Sequence, residues 1–221
     1  MKVFFNKDGK TILLKMIETI QENKDYLSEL DGLIGDGDHG MNMNKGFGMF
    51  GVEINDSDIS FTQGLYKLGD LLFSKIGGSM GPIYGSIFMN MAEEGERDAA
   101  KKCRDDLQID LNSFSAMLDA GYLSLTEIVE AKVGDKTLMD CLLPANEALK
   151  NAAKEGRDFS EALELMKKAA EEGKESTRDL IAKYGRSSRL GERSRGVLDA
   201  GAVSCFLILN AMADGIMEVL K

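Results

Sequence analysis

The sequence predicts an all-α fold, and three observations carry that reading. Apolar residues recur at spacings of three and four over most of the 221 residues, the period of a helix with one buried face. Strand-type alternation is almost absent. The apolar stretches are separated by short connections, which make sequential helices antiparallel neighbours in a bundle.

Each element follows from its own residues. Leu13, Ile17 and Ile20 share one face of a helix expected over roughly 10–27. A shorter helix follows His39. Leu65, Leu68, Leu72 and Ile76 make the next apolar face. Pro82 suits the first turn of a helix carried on by Ile83, Ile87 and Met91. Residues 111–131 place Phe114, Leu118 and Tyr122 together. Thr137 caps a helix running to about Lys154, which Pro144 is expected to bend. Ser160 opens a long charged helix through Leu163, Met166 and Ala170 toward Lys183. Its Lys/Glu-rich flank reads as a solvated face with charges paired at i and i+4. Ala200 to Leu220 is apolar nearly all round and is expected to be the most buried helix. The reading is therefore eight helices in a single domain over residues 1–221.

Composition narrows the function. There are 27 Lys and Arg against 37 Asp and Glu, a net charge of -10. That balance argues against direct nucleic-acid binding and against anionic membranes. With 43% hydrophobic residues and two prolines, the chain is neither disordered nor a proline-rich linker. No signal-like start and no apolar run of about 20 residues is read, so a cytoplasmic location and no membrane partner are expected. Cys103, Cys141 and Cys205 are far apart and odd in number, a pattern of reduced, buried or partly buried thiols. His39 is the sole histidine, which excludes a histidine-rich zinc site within one chain.

The connections carry the chemistry. Asp31, Asp36 and Asp38 fall within eight residues, among Gly35, Gly37 and Gly40. On one helix Asp36 would lie about 140° from Asp31 and the three could not converge, whereas in an extended turn Asp36 and Asp38 point the same way. Three like charges held together call for a cation, and hard oxygen donors suit Mg²⁺ or Ca²⁺. The alternative is a polar turn whose aspartates cap the next helix. An EF-hand is excluded by spacing.

Gly77-Gly78-Ser79-Met80-Gly81-Pro82 leads into a helix, where free backbone N–H groups and the positive dipole end suit a phosphate. It lacks P-loop spacing. In Gly134-Asp135-Lys136-Thr137, Lys136 meets an anion and Asp135 a metal or partner, or the segment is simply a capped turn. Residues 185–196 gather Arg186, Arg189, Arg193 and Arg195, whose guanidinium forks match phosphate oxygens. Asp199-Ala200-Gly201 precedes the last helix. Together these are the parts that hold a nucleotide through its phosphates and Mg²⁺.

The four segments, in this order, resemble the ADP-binding L subunit of dihydroxyacetone kinases: Ile34–Met43, Gly77–Pro82, Gly134–Thr137 and Gly191–Ser194. The resemblance covers nearly the whole chain. It implies an antiparallel eight-helix barrel with nucleotide bound among the loops at one end. It implies two Mg²⁺ on Asp31, Asp36 and Asp38, with His39, Gly40, Met41, Asn42, Ser79 and Met80 lining the ADP site. Leu138 would pack near the base, Arg186 would face the nucleotide and stabilise charge, and Asp199, Ala200 and Gly201 would close the pocket. Ser79 and Met80 replace the middle pair of the usual GGASGP, and Ala200 stands where proline is common.

The implied activity is that of a phosphoenolpyruvate-dependent kinase subunit. A phosphotransferase-system phosphoprotein recharges bound ADP to ATP, and the phosphoryl group passes to dihydroxyacetone, or a related small ketose, on a K subunit. An L part on its own favours this form. The alternatives are an ATP-dependent subunit that exchanges nucleotide freely, or a nucleotide-sensing module that binds a transcription regulator; a homodimer is compatible with either.

Overall fold

The computed structural model describes residues 2–102 and 108–221, and Cys103 lies outside them. Among the described residues there are nine α-helices and one two-stranded sheet. The all-α expectation holds; the helix count differs by one because the first expected helix is two. α1 (Lys10–Glu22) stops at Asn23, whose backbone N–H and side-chain amide both donate to the Thr19 carbonyl, at 3.2 and 2.8 Å. The chain restarts as α2 (Lys24–Ile34), with Leu27, Leu30 and Ile34 buried.

α3 (His39–Ile54) follows the turn at Gly35–Asp38. α4 (Phe61–Lys75) starts at a capping box in which Ser60 and Gln63 bond each other's backbone N–H. α5 (Met80–Lys102) begins two residues before Pro82. α6 (Leu111–Thr126) is capped by Asp110 and ends short of the expected residue 131, which leaves Val129 and Ala131 in a connection. α7 (Met139–Lys154) accommodates Pro144, and the Thr137 hydroxyl accepts from the Met139 N–H at 3.2 Å. α8 (Phe159–Ser176) is capped by Asp158 rather than Ser160 and stops before the expected Lys183. A 3-10 turn at Thr177–Asp179 and a kinked 3-10 stretch at Arg186–Ser194 then lead to α9 (Ala200–Val219).

The strands were not legible as alternation. β1 (Val3–Phe5) and β2 (Gln108–Asp110) are three residues each and pair antiparallel, Phe4 opposite Ile109.

Sequential helices pack on one another: α4 on α5, α5 on α6 and α7 on α8, while α9 lies against α1. The α4–α5 approach is close enough that a Cβ on Gly69 would stand 2.9 Å from the Gly85 carbonyl, and one on Gly85 the same distance from that of Gly69. The interior is filled by side chains. Phe4, Phe61, Phe114 and Phe159 form one aromatic run, with Phe4 and Phe61 edge-to-face at 5.4 Å. Beneath Tyr84 and Phe88 only about 10 Å³ is left open. α9 has the length and hydropathy of a membrane-crossing helix, yet 67% of that stretch is buried in the protein. Cys141 and Cys205 are free and buried, as expected.

Candidate functional site

A cleft of about 460 Å³ opens where the turn after α2, the starts of α5, α7 and α9 and the arginine segment meet, within the usual range for small-ligand sites. Asp31 stands on the last turn of α2, not in a loop as expected; Asp36 and Asp38 lie beyond it. The Gly35 N–H closes α2 on the Asp31 carbonyl at 2.5 Å, and Gly37 takes φ +77°, where a side chain would be strained. The chain thereby doubles back, and one carboxylate oxygen from each of Asp31, Asp36 and Asp38 lies within 4.8 Å of the others. This settles the geometric objection to a single helix.

The trio's electrostatics follow from that closeness. Burial first, then the carboxylates of Asp36 and Asp31, push the Asp38 carboxyl above its ordinary value, with Arg186 opposing. Arg186 bonds Asp36 through Nη2 at 2.8 Å. The donor set is three hard carboxylate oxygens with no thiolate. Crowded like charge of this kind fits a Mg²⁺-type cation. The one nearby imidazole turns elsewhere: His39 Nε2 is 2.8 Å from Ser204 Oγ, which Tyr84 OH also meets at 2.7 Å. Burial holds the His39 pKa below its usual value, against a smaller pull from Asp31.

Gly77, Gly78, Ser79 and Met80 bring the start of α5 to the same cleft. The start of α9 arrives beside it. Asp199 caps that helix, accepting from the Ala202 N–H at 2.8 Å. Burial pushes the Asp199 carboxyl up to about 7, although that cap and Lys136 both pull it down. Apolar walls come from Ile83, Val129, Ala131 and Leu138.

Most expected site residues are brought together here: Asp31, Asp36, Asp38, His39, Asn42, Ser79, Met80, Leu138, Arg186, Asp199, Ala200 and Gly201 all line the cleft. Gly40 and Met41 do not. A Cβ at Gly40 would lie 1.9 Å from the Lys24 carbonyl, so Gly40 serves the α2–α3 contact, and Met41 points outward, 55% exposed. Tyr84, Ile83, Ala131 and Tyr184 were not anticipated. Tyr84 could have been found, since it lies one helical turn beyond Met80. Asp135 lies apart from the cleft lining; Lys136 and Thr137 belong to it, with the Lys136 ammonium turned onto backbone carbonyls.

A mainly helical fold here brings a carboxylate trio and two helix starts to one cleft, an arrangement of the kind that suits a phosphate and a hard cation. The DAK2 domain model matches residues 33–214, and the chain belongs to that family. It is 34% identical over 216 residues to the ADP-binding subunit of PEP-dependent dihydroxyacetone kinase 2 of Listeria innocua, covering 94% of this chain and 93% of the relative. It is 36% identical over 193 residues to the corresponding ADP-binding subunit of Escherichia coli, covering 86% and 87%. The fold also matches a crystal structure of the dihydroxyacetone kinase from C. freundii in complex with AMP-PNP and Mg²⁺. The TM-score there is 0.65 at 20% identity, over 92% of this chain and 33% of that one.

Proposed function

We propose that the chain is the ADP-binding subunit of a multi-subunit, phosphoenolpyruvate-dependent dihydroxyacetone kinase. The observation that carries this reading is the convergence of Asp31, Asp36 and Asp38 in the cleft that also receives the starts of α5 and α9. The relatives' names and their nearly full coverage support it. Bound ADP would take a phosphoryl group from a phosphotransferase-system phosphoprotein and, as ATP, deliver it to dihydroxyacetone or a similar small ketose on a K subunit.

The chain's own residues supply binding and charge compensation, which is most of what phosphoryl transfer asks of a protein. Asp31, Asp36 and Asp38 would hold Mg²⁺, two ions in this proposal. Backbone N–H groups around Ser79 and Met80, and at Ala200 and Gly201, would meet phosphate oxygens. His39 and Asn42 border the same region, and Leu138 with Val129 and Ala131 would enclose the base. Arg186, already beside the trio, screens charge on the phosphates. We place the chain in the cytoplasm, with the K subunit and the phosphoryl donor as its partners.

The test is to purify the chain without added nucleotide, denature it and identify what is released. Near-stoichiometric ADP, lost on prolonged chelation of Mg²⁺, is the expected result. An empty protein that exchanges ATP freely would replace the resident-ADP reading with an ATP-dependent one. No affinity for either nucleotide would refute the site.

A further inference from the structure

The Gly134–Thr137 turn gives no carboxylate to the trio; Lys136 and Thr137 border the cleft, and Asp135 and Lys136 both bond the chain that flanks the arginine segment. Lys136 holds φ at +61°, a left-handed conformation that residues with a side chain rarely adopt. The residue is only 1% exposed, and a buried ammonium is costly unless its hydrogens are used. Two of the three are used on carbonyls: Nζ donates to Thr177 O at 2.6 Å and to Val197 O. Thr177 is where the chain leaves α8 and Val197 is where it comes back toward α9. One ammonium therefore closes both ends of the excursion that carries Arg186.

Asp135 braces the same excursion further along. Its carbonyl accepts from the Lys183 N–H at 3.1 Å, and its carboxylate accepts from Lys183 Nζ at 2.5 Å. Inside the excursion, the Gly196 N–H donates to Arg178 O at 2.7 Å and the Ala182 N–H to Ser194 Oγ at 3.0 Å. Arg186 follows three residues after Lys183 and ends on Asp36 at 2.8 Å. The root, the brace and the guanidinium thus form one chain of fixed contacts from the turn to the trio.

We infer that Lys136, with Asp135 beside it, is a positioning residue for Arg186, closing the root of the arginine segment so that the guanidinium stands against the aspartate trio. The inference rests on the nucleotide reading above, because the placement of Arg186 bears on function only if phosphates occupy the cleft. The experiment is a double-mutant cycle on Mg·ADP affinity, by titration calorimetry, with Lys136→Met, Arg186→Ala and the pair. Each single substitution is expected to weaken ADP binding about ten-fold, and the pair no more than the worse single. Losses that multiply, or a Lys136→Met protein that binds like wild type, overturn it.

A second readout needs no nucleotide. Trypsin cleavage after Arg186, Arg189, Arg193 and Arg195 is expected to be about ten-fold faster in Lys136→Met, as local opening becomes easier. An unchanged cleavage rate overturns the inference. If Lys136→Met does not fold, Lys183→Ala removes the Asp135 brace at an exposed side chain and is judged by the same two readouts. A wild-type protein that binds no ADP refutes the nucleotide reading instead, and the cleavage rates still decide whether Lys136 holds the segment.

Discussion

Asp38→Asn should make the protein more stable in a chelator and insensitive to magnesium. The carboxylate oxygens of Asp31, Asp36 and Asp38 lie within 4.8 Å of one another. Two unit charges at that separation repel by about 1 kcal/mol in water and about 3–4 kcal/mol at an effective dielectric near 20. Asp36 and Asp38 are exposed, so the lower figure applies, and salt reduces it further. Asp38 takes part in two such pairs, and the attraction of Arg186 takes part of the relief back. The net gain in the variant is about 1 kcal/mol, or about 2–4 °C in Tm for a chain of this size. Magnesium acts the other way on the wild type: at a hundred times its Kd it adds about 2.7 kcal/mol, about 5–10 °C by the same conversion. Scanning calorimetry at pH 7.5, in EDTA and in saturating Mg²⁺, should show the two proteins exchange rank. A variant that melts below wild type in EDTA, or gains as much from magnesium, would refute the assignment of the trio as a cation site.

Three further outcomes follow from the cleft. The Asp199 carboxyl sits at about 7 against an ordinary 3.8, so the folded state binds its proton more tightly than the unfolded one does. Wild-type stability should fall relative to Asp199→Asn, which keeps the α9 cap, as pH rises from about 4 to 7, and then hold level; parallel melting curves across that range would refute it. Arg186→Ala frees Asp36 and should tighten Mg²⁺ about two- to five-fold without nucleotide while weakening ADP, both read by calorimetric titration. Gly40→Ala would put a methyl 1.9 Å from the Lys24 carbonyl, forcing α2 and α3 apart. Urea unfolding should show a loss of about 1–3 kcal/mol and Mg²⁺ affinity should drop with it, because Asp31 rides on α2 and Asp38 precedes α3.

Helical period revealed the fold class because most helices here bury one face, and Leu65, Leu68 and Leu72 are buried as their spacing required. The trio was legible from charge density alone. Its geometry was not: Asp31 belongs to a helix end and the other two to a turn, a break that depends on Gly35 and Gly37. The split at Asn23 escaped because Leu27, Leu30 and Ile34 keep an apolar face going past it. The role of Lys136 was unreadable for another reason. Its partners Thr177 and Val197 lie 41 and 61 residues away, and nothing local distinguishes a lysine that meets an anion from one that ties two strands of backbone. The three-residue strands were too short to show alternation and pair across nearly half of the chain.

His39 is the only imidazole in the sequence, and it lies in the cleft wall with Nε2 against Ser204. Its ring carbon protons therefore give a pair of proton NMR resonances that belong to one residue by composition alone. Filling the cleft must alter the surroundings of that ring, so the same two lines report the free and the filled protein side by side. A titration followed in this way measures occupancy without any turnover, and it can be repeated unchanged with another protein bound to the chain.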